Sequence, residues 1–153
     1  MKVKIELDES LQEEEFVIRC SAVTENILKV QAAVMDLERS GRCMELRQGD
    51  TEYYLPIEEI LFFETEHKTV YAHTRDKMME TGYRLYELEE LLPGSFFRIS
   101  KSAIVNLNQI YSITRNLASS SLVEFMHSHK RVYVSRKYYK LLVERLAEKR
   151  KRL

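Results

Sequence analysis

The chain has few of the residues and motifs that common phosphate-binding and catalytic sites require. Only four of its 153 residues are glycine, and they form no glycine-rich phosphate loop. The sequence also contains no G-x-S-x-G, H-E-x-x-H or C-x-x-C motif. These absences disfavour an enzyme, and we expect neither a cofactor nor a bound metal.

Cysteines and long apolar runs are scarce as well. Cys20 and Cys43 have no metal-binding or redox spacing, and no apolar run approaches the roughly 18 to 20 residues of a membrane helix. The first nine residues alternate charged and apolar side chains and lack the apolar block of a secretory signal. We therefore expect a cytoplasmic protein with reduced thiols.

The formal net charge is zero, but the charges are unevenly distributed along the chain. Residues 1–95 contain 11 Lys and Arg against 21 Asp and Glu, a balance of −10. Residues 96–153 contain 13 against 3, a balance of +10, and the four basic residues at 149–152 do not account for this excess. A segment this basic predicts an anionic partner such as nucleic acid or a membrane surface.

Hydrophobic periodicity predicts a β-β-α extension over residues 1–41. Residues 2–7 and 15–21 alternate apolar and polar side chains, which is typical of half-buried strands. Thr24 is a suitable N-cap for a helix whose apolar stripe recurs at helical spacing up to Gly41. We expect this helix to mediate self-association or to hold a partner.

Residues 42–149 are predicted to form a second, β-rich domain, followed by a basic tail at 150–153. Many short alternating segments predict strands, with a short helix near residues 86–92 and a last helix at 136–149 capped by Ser135. The sequence lacks βαβ alternation, which disfavours a parallel sheet. The predicted fold class is therefore mainly β, of the α+β type, with short helices.

The stretch F-F-R-I-S-K-S-A-I-V-N at residues 96–106 combines core-type residues with hydrogen-bond donors. One interpretation is a half-buried strand followed by a polar turn. The other is an apolar anchor that holds a donor-rich edge outward for a polyanion, since Arg and Lys neutralise phosphates and Ser and Asn add directional hydrogen bonds.

The histidines leave two interpretations open. His127 and His129 form an H-x-H pair that could offer two ligands to a metal, but on a predicted hairpin tip they are better explained as solvated turn residues. A catalytic role for His67 or His73 would need a nucleophile or a carboxylate beside it in the fold, which the sequence does not show. A small metal-dependent enzyme is accordingly the least favoured function.

Four pieces of the segment from about Met44 to Leu146 resemble the LytTR domain, the DNA-binding module of many bacterial response regulators. They occur in the family's order and spacing: I-L-F-F-E at 60–64, the leucine-rich 85–92, the stretch 96–106 and V-S-R-K-Y at 134–138. The resemblance implies a compact, mostly β fold whose loops, and not a recognition helix, enter the major groove of double-stranded DNA.

The resemblance also implies three DNA-contacting places. These are the loop after I-L-F-F-E, the F-R-x-x-x-S piece and the arginine of V-S-R. The corresponding residues are His67, Lys68, Arg98, Ser100, Lys101, Arg136 and Lys137. Arg136 is expected to read guanine, whereas Arg98 and Lys101 suit phosphates or a base edge. The alternatives are a surface ion pair for Arg136 and an ordinary loop histidine for His67.

Residues 1–41 are too short to be a receiver domain, so the chain resembles the small, receiver-less type of LytTR regulator. Such regulators are often accompanied by an integral-membrane protein that restrains them. We expect a homodimeric bacterial transcription regulator that binds promoter DNA at paired sites. The alternative is a protein-interaction module that keeps the LytTR fold, has lost DNA binding and serves a membrane-bound inhibitor.

Overall fold

The computed structural model describes residues 4–13, 15–39 and 41–149. Within these residues it contains ten strands and three α-helices, and two 3-10 turns follow β2 and β7. The elements, in chain order, are α1 (Glu25–Arg39), β1 (Cys43–Gln48), β2 (Thr51–Pro56), β3 (Phe62–Glu66), β4 (Thr69–His73), β5 (Met78–Thr81), α2 (Leu85–Leu91), β6 (Phe96–Arg98), β7 (Ala103–Asn106), β8 (Ile110–Thr114), β9 (Ser121–Phe125), β10 (Arg131–Val134) and α3 (Arg136–Lys149).

The strands form two antiparallel sheets. One sheet has seven strands in the order β2-β1-β5-β4-β3-β7-β6, and the other has three in the order β10-β9-β8. Each pairing between the described strands is antiparallel, and short turns connect most sequential neighbours. The predicted class, mainly β with short helices, is confirmed.

The first two residues of β3 and all four residues of β7 are buried, on both faces of the sheet. Successive residues of a strand point to opposite faces, so Phe62 packs in one apolar cluster and Phe63 in the other. Ile104 and Val105 of β7 are divided in the same way. Side chains of α2 complete the first cluster, and β8, β9, β10 and α3 supply the second. Fully burying each such side chain contributes about 1.5–3 kcal/mol to the free energy of unfolding. The turns at the ends of β3 and β7 are therefore attached to a stable part of the fold.

The two predicted N-terminal strands are wrong for the residues that can be examined. Residues 4–7 and 15–21 form no strand, and Ile5, Leu7 and Phe16 are exposed. Lys2 and Val3 lie outside the described residues. Alternation shows that one face of a segment is apolar, but a strand also needs a partner for its backbone groups, and a lone pair of strands is marginal in water.

The predicted N-terminal helix is confirmed as α1. The Ile27 N–H donates to Thr24 Oγ1 at 3.4 Å, so Thr24 is the cap that was expected. The compact units are Met1–Val34 and Met35–Leu153, and the last turn of α1 therefore belongs to the second. There the Gly94 N–H donates to Asp36 Oδ1 at 2.9 Å. No helix among the described residues is long and apolar enough to cross a membrane.

Candidate nucleic-acid interface

The stretch at residues 96–106 folds as a hairpin in which β6 and β7 flank a short turn. Phe97 pairs with Val105, and Arg98 pairs with Ile104. Ile99 is buried at the start of the turn, whereas Lys101 and Ser102 are exposed. Both sequence interpretations thus describe part of the hairpin, because an apolar base carries a polar turn outward.

We call residues 99–102 the central turn. Protein donors bind all four of its backbone carbonyls. The Ile99 carbonyl accepts from the Ser135 N–H at 3.0 Å, and the Ser102 carbonyl accepts from the Thr65 N–H at 2.8 Å. The Arg98 guanidinium donates to the other two, from Nε to Ser100 O at 2.7 Å and from Nη2 to Lys101 O at 2.5 Å. The backbone of this exposed turn is therefore fixed from inside.

The same hydrogen bonds link the three predicted contact places. Thr65 lies in β3 two residues before His67, and Ser135 lies directly before Arg136. The central turn is bonded to both segments through Ser102 and Ile99. The structure thus brings the β3–β4 turn, the central turn and the start of α3 together, although these segments are up to about 70 residues apart in sequence.

His67 and Lys68 form the two-residue turn between β3 and β4, and both are exposed. Glu66 pairs with Thr69, and the two turn residues have φ values of 46° and 72°. Two positive φ values are typical of the type I′ turn that matches the twist of a hairpin. Asn and Gly adopt this conformation readily, whereas His and Lys are strained in it. The sequence retains two large side chains here despite that cost, which is common at functional positions.

Arg136 and Lys137 are exposed in the first turn of α3. The Lys137 Nζ lies 5.6 Å from the centre of the Tyr138 ring. The prediction that the Ser135 hydroxyl caps this helix is wrong: among the described atoms the buried Oγ has no hydrogen-bond partner. The backbone of Ser135 instead anchors the helix start, because its N–H binds Ile99 and its carbonyl accepts from Tyr138 and Tyr139.

Arg98 differs from the other charged residues among the predicted contacts because protein oxygens bind its guanidinium. Its side chain is 23% exposed. Besides the two carbonyls of the central turn, it binds Glu89 of α2, with Nη1 at 2.5 Å from Oε1. Three of its five N–H groups are thus used, two at carbonyls and one at a carboxylate.

Carboxylates are also present near the candidate contacts. Burial, with a smaller contribution from the charge of Glu66, raises the pKa of the Glu64 carboxyl in β3. Glu66 itself is exposed directly before His67. Polyanion binding at this surface would therefore depend on the placement of a few cations, and a uniform positive field does not explain it.

Sequence reasoning missed Thr65, Ser102 and Ser135 as links between the segments. Their contribution is through backbone N–H and C=O groups, which every residue type except proline carries. Glu89 was missed as the partner of Arg98, since a glutamate on a short leucine-rich helix resembles any solvated residue. The sequence contains no signal that would have identified these contacts.

The histidines fall into two different environments. His73 is buried and its ring stacks on Phe62, with 4.1 Å between the ring centres. His127 and His129 lie in the turn between β9 and β10, as predicted. Within residues 4–13, 15–39 and 41–149, no group of three or more His, Cys, Asp or Glu side chains could hold a metal ion.

Comparison with known proteins identifies a family and several relatives. The family model of the LytTr DNA-binding domain matches residues 50–147. An uncharacterized HTH-type transcriptional regulator of Staphylococcus aureus is 30% identical over 148 residues, which are 96% of this chain and 99% of the relative. Its counterpart in another strain of that species is 29% identical with the same coverage. A solved LytTr DNA-binding domain from Bacillus cereus has a TM-score of 0.64 and 28% identity, and the match covers 71% of this chain and 99% of that one.

The names of the S. aureus relatives refer to a helix-turn-helix, but this chain is arranged differently in the part that the structure describes. Strands separate α1 from α2 and α2 from α3, so no two α-helices follow one another. A helix-turn-helix requires two consecutive helices joined by a short turn.

Proposed function

This chain belongs to the LytTr DNA-binding domain family, and from that premise we propose that it is a sequence-specific transcription regulator whose turns enter the major groove of promoter DNA. The family is one of DNA-binding domains and not of enzymes. The S. aureus relatives, which match over nearly their whole length, are named transcriptional regulators. These similarities support the class of function, and the geometry of the central turn supports the mode of contact.

The observation that carries the proposal is the bonding of two donor-bearing segments, β3 with its turn and the start of α3, to the exposed central turn between them. Duplex recognition needs donors that keep their direction, because base edges present acceptors at fixed positions in the groove. The Ser135 N–H bond to Ile99 O holds the start of α3, and the Thr65 N–H bond to Ser102 O holds β3 below its turn. Side chains on segments fixed in this way lose little further freedom on binding.

Each predicted contact residue has a role suited to its position. Arg136 is exposed at the anchored start of α3, where a guanidinium can give two parallel hydrogen bonds to guanine O6 and N7. Lys68 and Lys137 are flexible cations suited to phosphates. Lys101 and His67 occupy the tips of their turns, where they can reach a base edge or a phosphate. Ser100 is half-buried beside Lys101.

Self-association is the second part of the proposal. On α1, Leu28 and Met35 are 52% and 48% exposed, and residues seven apart lie on nearly the same side of a helix. A second copy of the chain would cover these side chains and present two DNA-binding surfaces to paired sites. A restraining membrane protein is the alternative partner for the same side chains.

The decisive variant is Arg136→Ala. We expect it to weaken binding to the duplex upstream of the chain's own gene by about 5- to 150-fold, the range of a 1–3 kcal/mol bidentate base contact. Binding to a scrambled duplex should change little. Titrations of both duplexes at two salt concentrations measure the two affinities, and the unmodified protein should lose affinity steeply as salt rises.

Arg47→Ala is the matched control for this measurement. Arg47 is an exposed arginine on β1, paired with Glu52, and three strands of the sheet separate β1 from β7. The control should keep both affinities. An equal loss on both duplexes for Arg136→Ala would make Arg136 a phosphate contact. If the unmodified chain does not prefer its own upstream DNA at either salt concentration, an interaction module without DNA binding becomes the better reading.

A further inference from the structure

The central turn is unusual because one side chain holds two of its four carbonyls. The carbonyls of Ser100 and Lys101 both point toward Arg98, with donor–acceptor distances of 2.7 and 2.5 Å. Carbonyl oxygens carry partial negative charge and would repel phosphates if they faced a duplex. Because the Arg98 guanidinium binds both of these acceptors, neither carbonyl faces a duplex unpaired.

We propose that Arg98 is a positioning residue, which orients the central turn toward DNA and does not itself contact the duplex. The inference rests on the proposed function and deepens it. The donors left to the site are then exposed Lys101, together with the hydroxyls of half-buried Ser100 and exposed Ser102. Arg98 acts through them by fixing the two peptide planes that flank Lys101.

The planar guanidinium fork explains why an arginine occupies this position. Its N–H groups diverge at fixed angles, so one side chain can bind two successive carbonyls and a carboxylate. A lysine ammonium has the same charge but no fixed fork. Three of the five N–H groups of Arg98 are thus directed at protein acceptors, in a position in which its side chain is only 23% exposed.

Glu89 is the anchor of this arrangement. It extends from α2, binds Arg98 Nη1 and is more exposed than its partner, at 45% against 23%. The carboxylate holds the far end of the guanidinium while the near end binds the turn. If Arg98 orients the turn, loss of Glu89 weakens specific binding. If Arg98 contacts phosphate, loss of Glu89 frees the arginine and strengthens binding.

The first experiment compares Arg98→Lys and Arg98→Met with the unmodified chain in titrations of the upstream and scrambled duplexes. We expect both variants to lose affinity for the upstream duplex by about tenfold or more, the size expected when a charge-assisted hydrogen bond is removed. Affinity for the scrambled duplex should change much less. The slope of log affinity against log salt should stay the same for both variants, since no phosphate contact is lost.

A direct phosphate contact has a different signature. Arg98→Met would lower the salt slope by about 0.9, the value for one phosphate contact on B-DNA. Arg98→Lys would keep most of the affinity because a lysine also neutralises a phosphate. Either result would overturn the positioning role.

The second experiment uses Glu89→Gln, with Glu90→Gln as the matched control. Glu90 lies next to Glu89 on α2 and is exposed, so the control removes a similar charge without loosening Arg98. Glu89→Gln should lower the preference for the upstream over the scrambled duplex, and Glu90→Gln should leave it unchanged. Tighter binding of the upstream duplex by Glu89→Gln than by the control would overturn the inference.

Hydrogen exchange in the DNA-free protein separates orientation from folding. The Ser102 N–H donates to Ser100 Oγ within the turn, and we expect its exchange to quicken in Arg98→Lys while the amides of β3 and β7 keep their protection. Unchanged exchange at Ser102 would contradict the proposal, and loss of protection throughout the sheet would reduce Arg98 to a folding residue. Absence of sequence preference in the unmodified chain would overturn the proposed function itself, whereas preference retained by Arg98→Lys would overturn only this inference.

Discussion

At the scale of single residues, His73 is a titratable group placed in the apolar interior. It is 8% exposed, it stacks on Phe62, and its Nε2 has no hydrogen-bond partner among the described atoms. Burial, with a smaller contribution from the nearby charge of Lys130, lowers the pKa of His73 from 6.5 to about 4. In the folded protein His73 therefore stays neutral at the pH values at which the same histidine in the unfolded chain begins to bind a proton.

The predicted consequence is acid sensitivity between pH 6.5 and 4. In this interval the unfolded state binds more protons than the folded state, so stability falls as pH decreases. A pKa shift of this size lowers the free energy of unfolding by about 3 kcal/mol, and this loss is complete once the pH is below the folded pKa. Urea unfolding of His73→Leu between pH 4 and 7.5 should show a correspondingly flatter pH dependence than that of the unmodified chain.

His129→Leu is the control for that measurement, because it removes a histidine from an exposed turn. It should keep the pH dependence of the unmodified chain. If His73→Leu and the unmodified chain lose stability in parallel as the pH falls, His73 is not the group that binds the proton. The carboxylates, which contribute in both proteins, cancel in the comparison.

At the scale of elements, the β3–β4 turn combines backbone strain with exposed side chains that we propose contact DNA. His67 and Lys68 both adopt positive φ, at a cost of about 1 kcal/mol each. Replacing the pair by Asn-Gly, the preferred type I′ sequence, should raise the free energy of unfolding by about 1 kcal/mol. The same double variant should weaken binding to the upstream duplex because both side chains are lost. Chemical denaturation and duplex titration measure the two effects.

A strained residue in another turn provides the comparison. His127, with φ of 56°, lies between β9 and β10, at the opposite end of β10 from Arg136. His127→Gly should also stabilise the fold but should not change DNA affinity. If the Asn-Gly variant keeps full affinity, the β3–β4 turn is not part of the interface. If the variant is less stable, the side chains must stabilise the turn by contacts other than backbone conformation.

The elements also show how far periodicity predicts this fold. The last helix, Arg136–Lys149, and the leucine-rich helix were predicted to within a residue or two, because an apolar stripe must be buried. Alternation failed in residues 4–7, where no neighbouring strand pairs with the segment. The pattern reports which face is apolar, and it carries no information on whether a partner strand exists.

For the candidate site, the sequence predicts which side chains contact DNA, and this stays a prediction; it does not predict the backbone hydrogen bonds that hold the segments. The composition of the stretch 96–106 predicted a donor-rich turn that extends from buried apolar residues. It did not predict that Arg98 donates to backbone carbonyls of the turn, because every residue type has a backbone carbonyl and the sequence does not show which carbonyls accept from a side chain. Ser135 was expected to act as a cap through its hydroxyl, and it acts instead through its N–H and C=O groups.

At the scale of the whole molecule, zero net charge conceals a division between acidic and basic parts of the chain. Residues 96–153, which have a net positive charge, include the central turn and α3. Residues 1–95, which have a net negative charge, include β3 and its turn. Net charge therefore predicts neither attraction nor repulsion of DNA. The proposed interface draws on both parts, and its affinity depends on local geometry as much as on total charge.

The last prediction concerns the assembly of two copies through α1. Leu28→Glu should convert a dimer to a monomer, since it places a charge on the proposed apolar contact, and sedimentation velocity of the full chain measures this. Leu37→Glu is a matched control. Leu37 is 74% exposed, and it lies on the opposite side of the helix from Leu28 because the two residues are nine positions apart. The control should remain dimeric and bind a paired site as tightly as the unmodified chain, while Leu28→Glu should bind it no more tightly than a single half-site. An unmodified chain that sediments as a monomer, or equal dissociation by both variants, would contradict assembly through this side of α1.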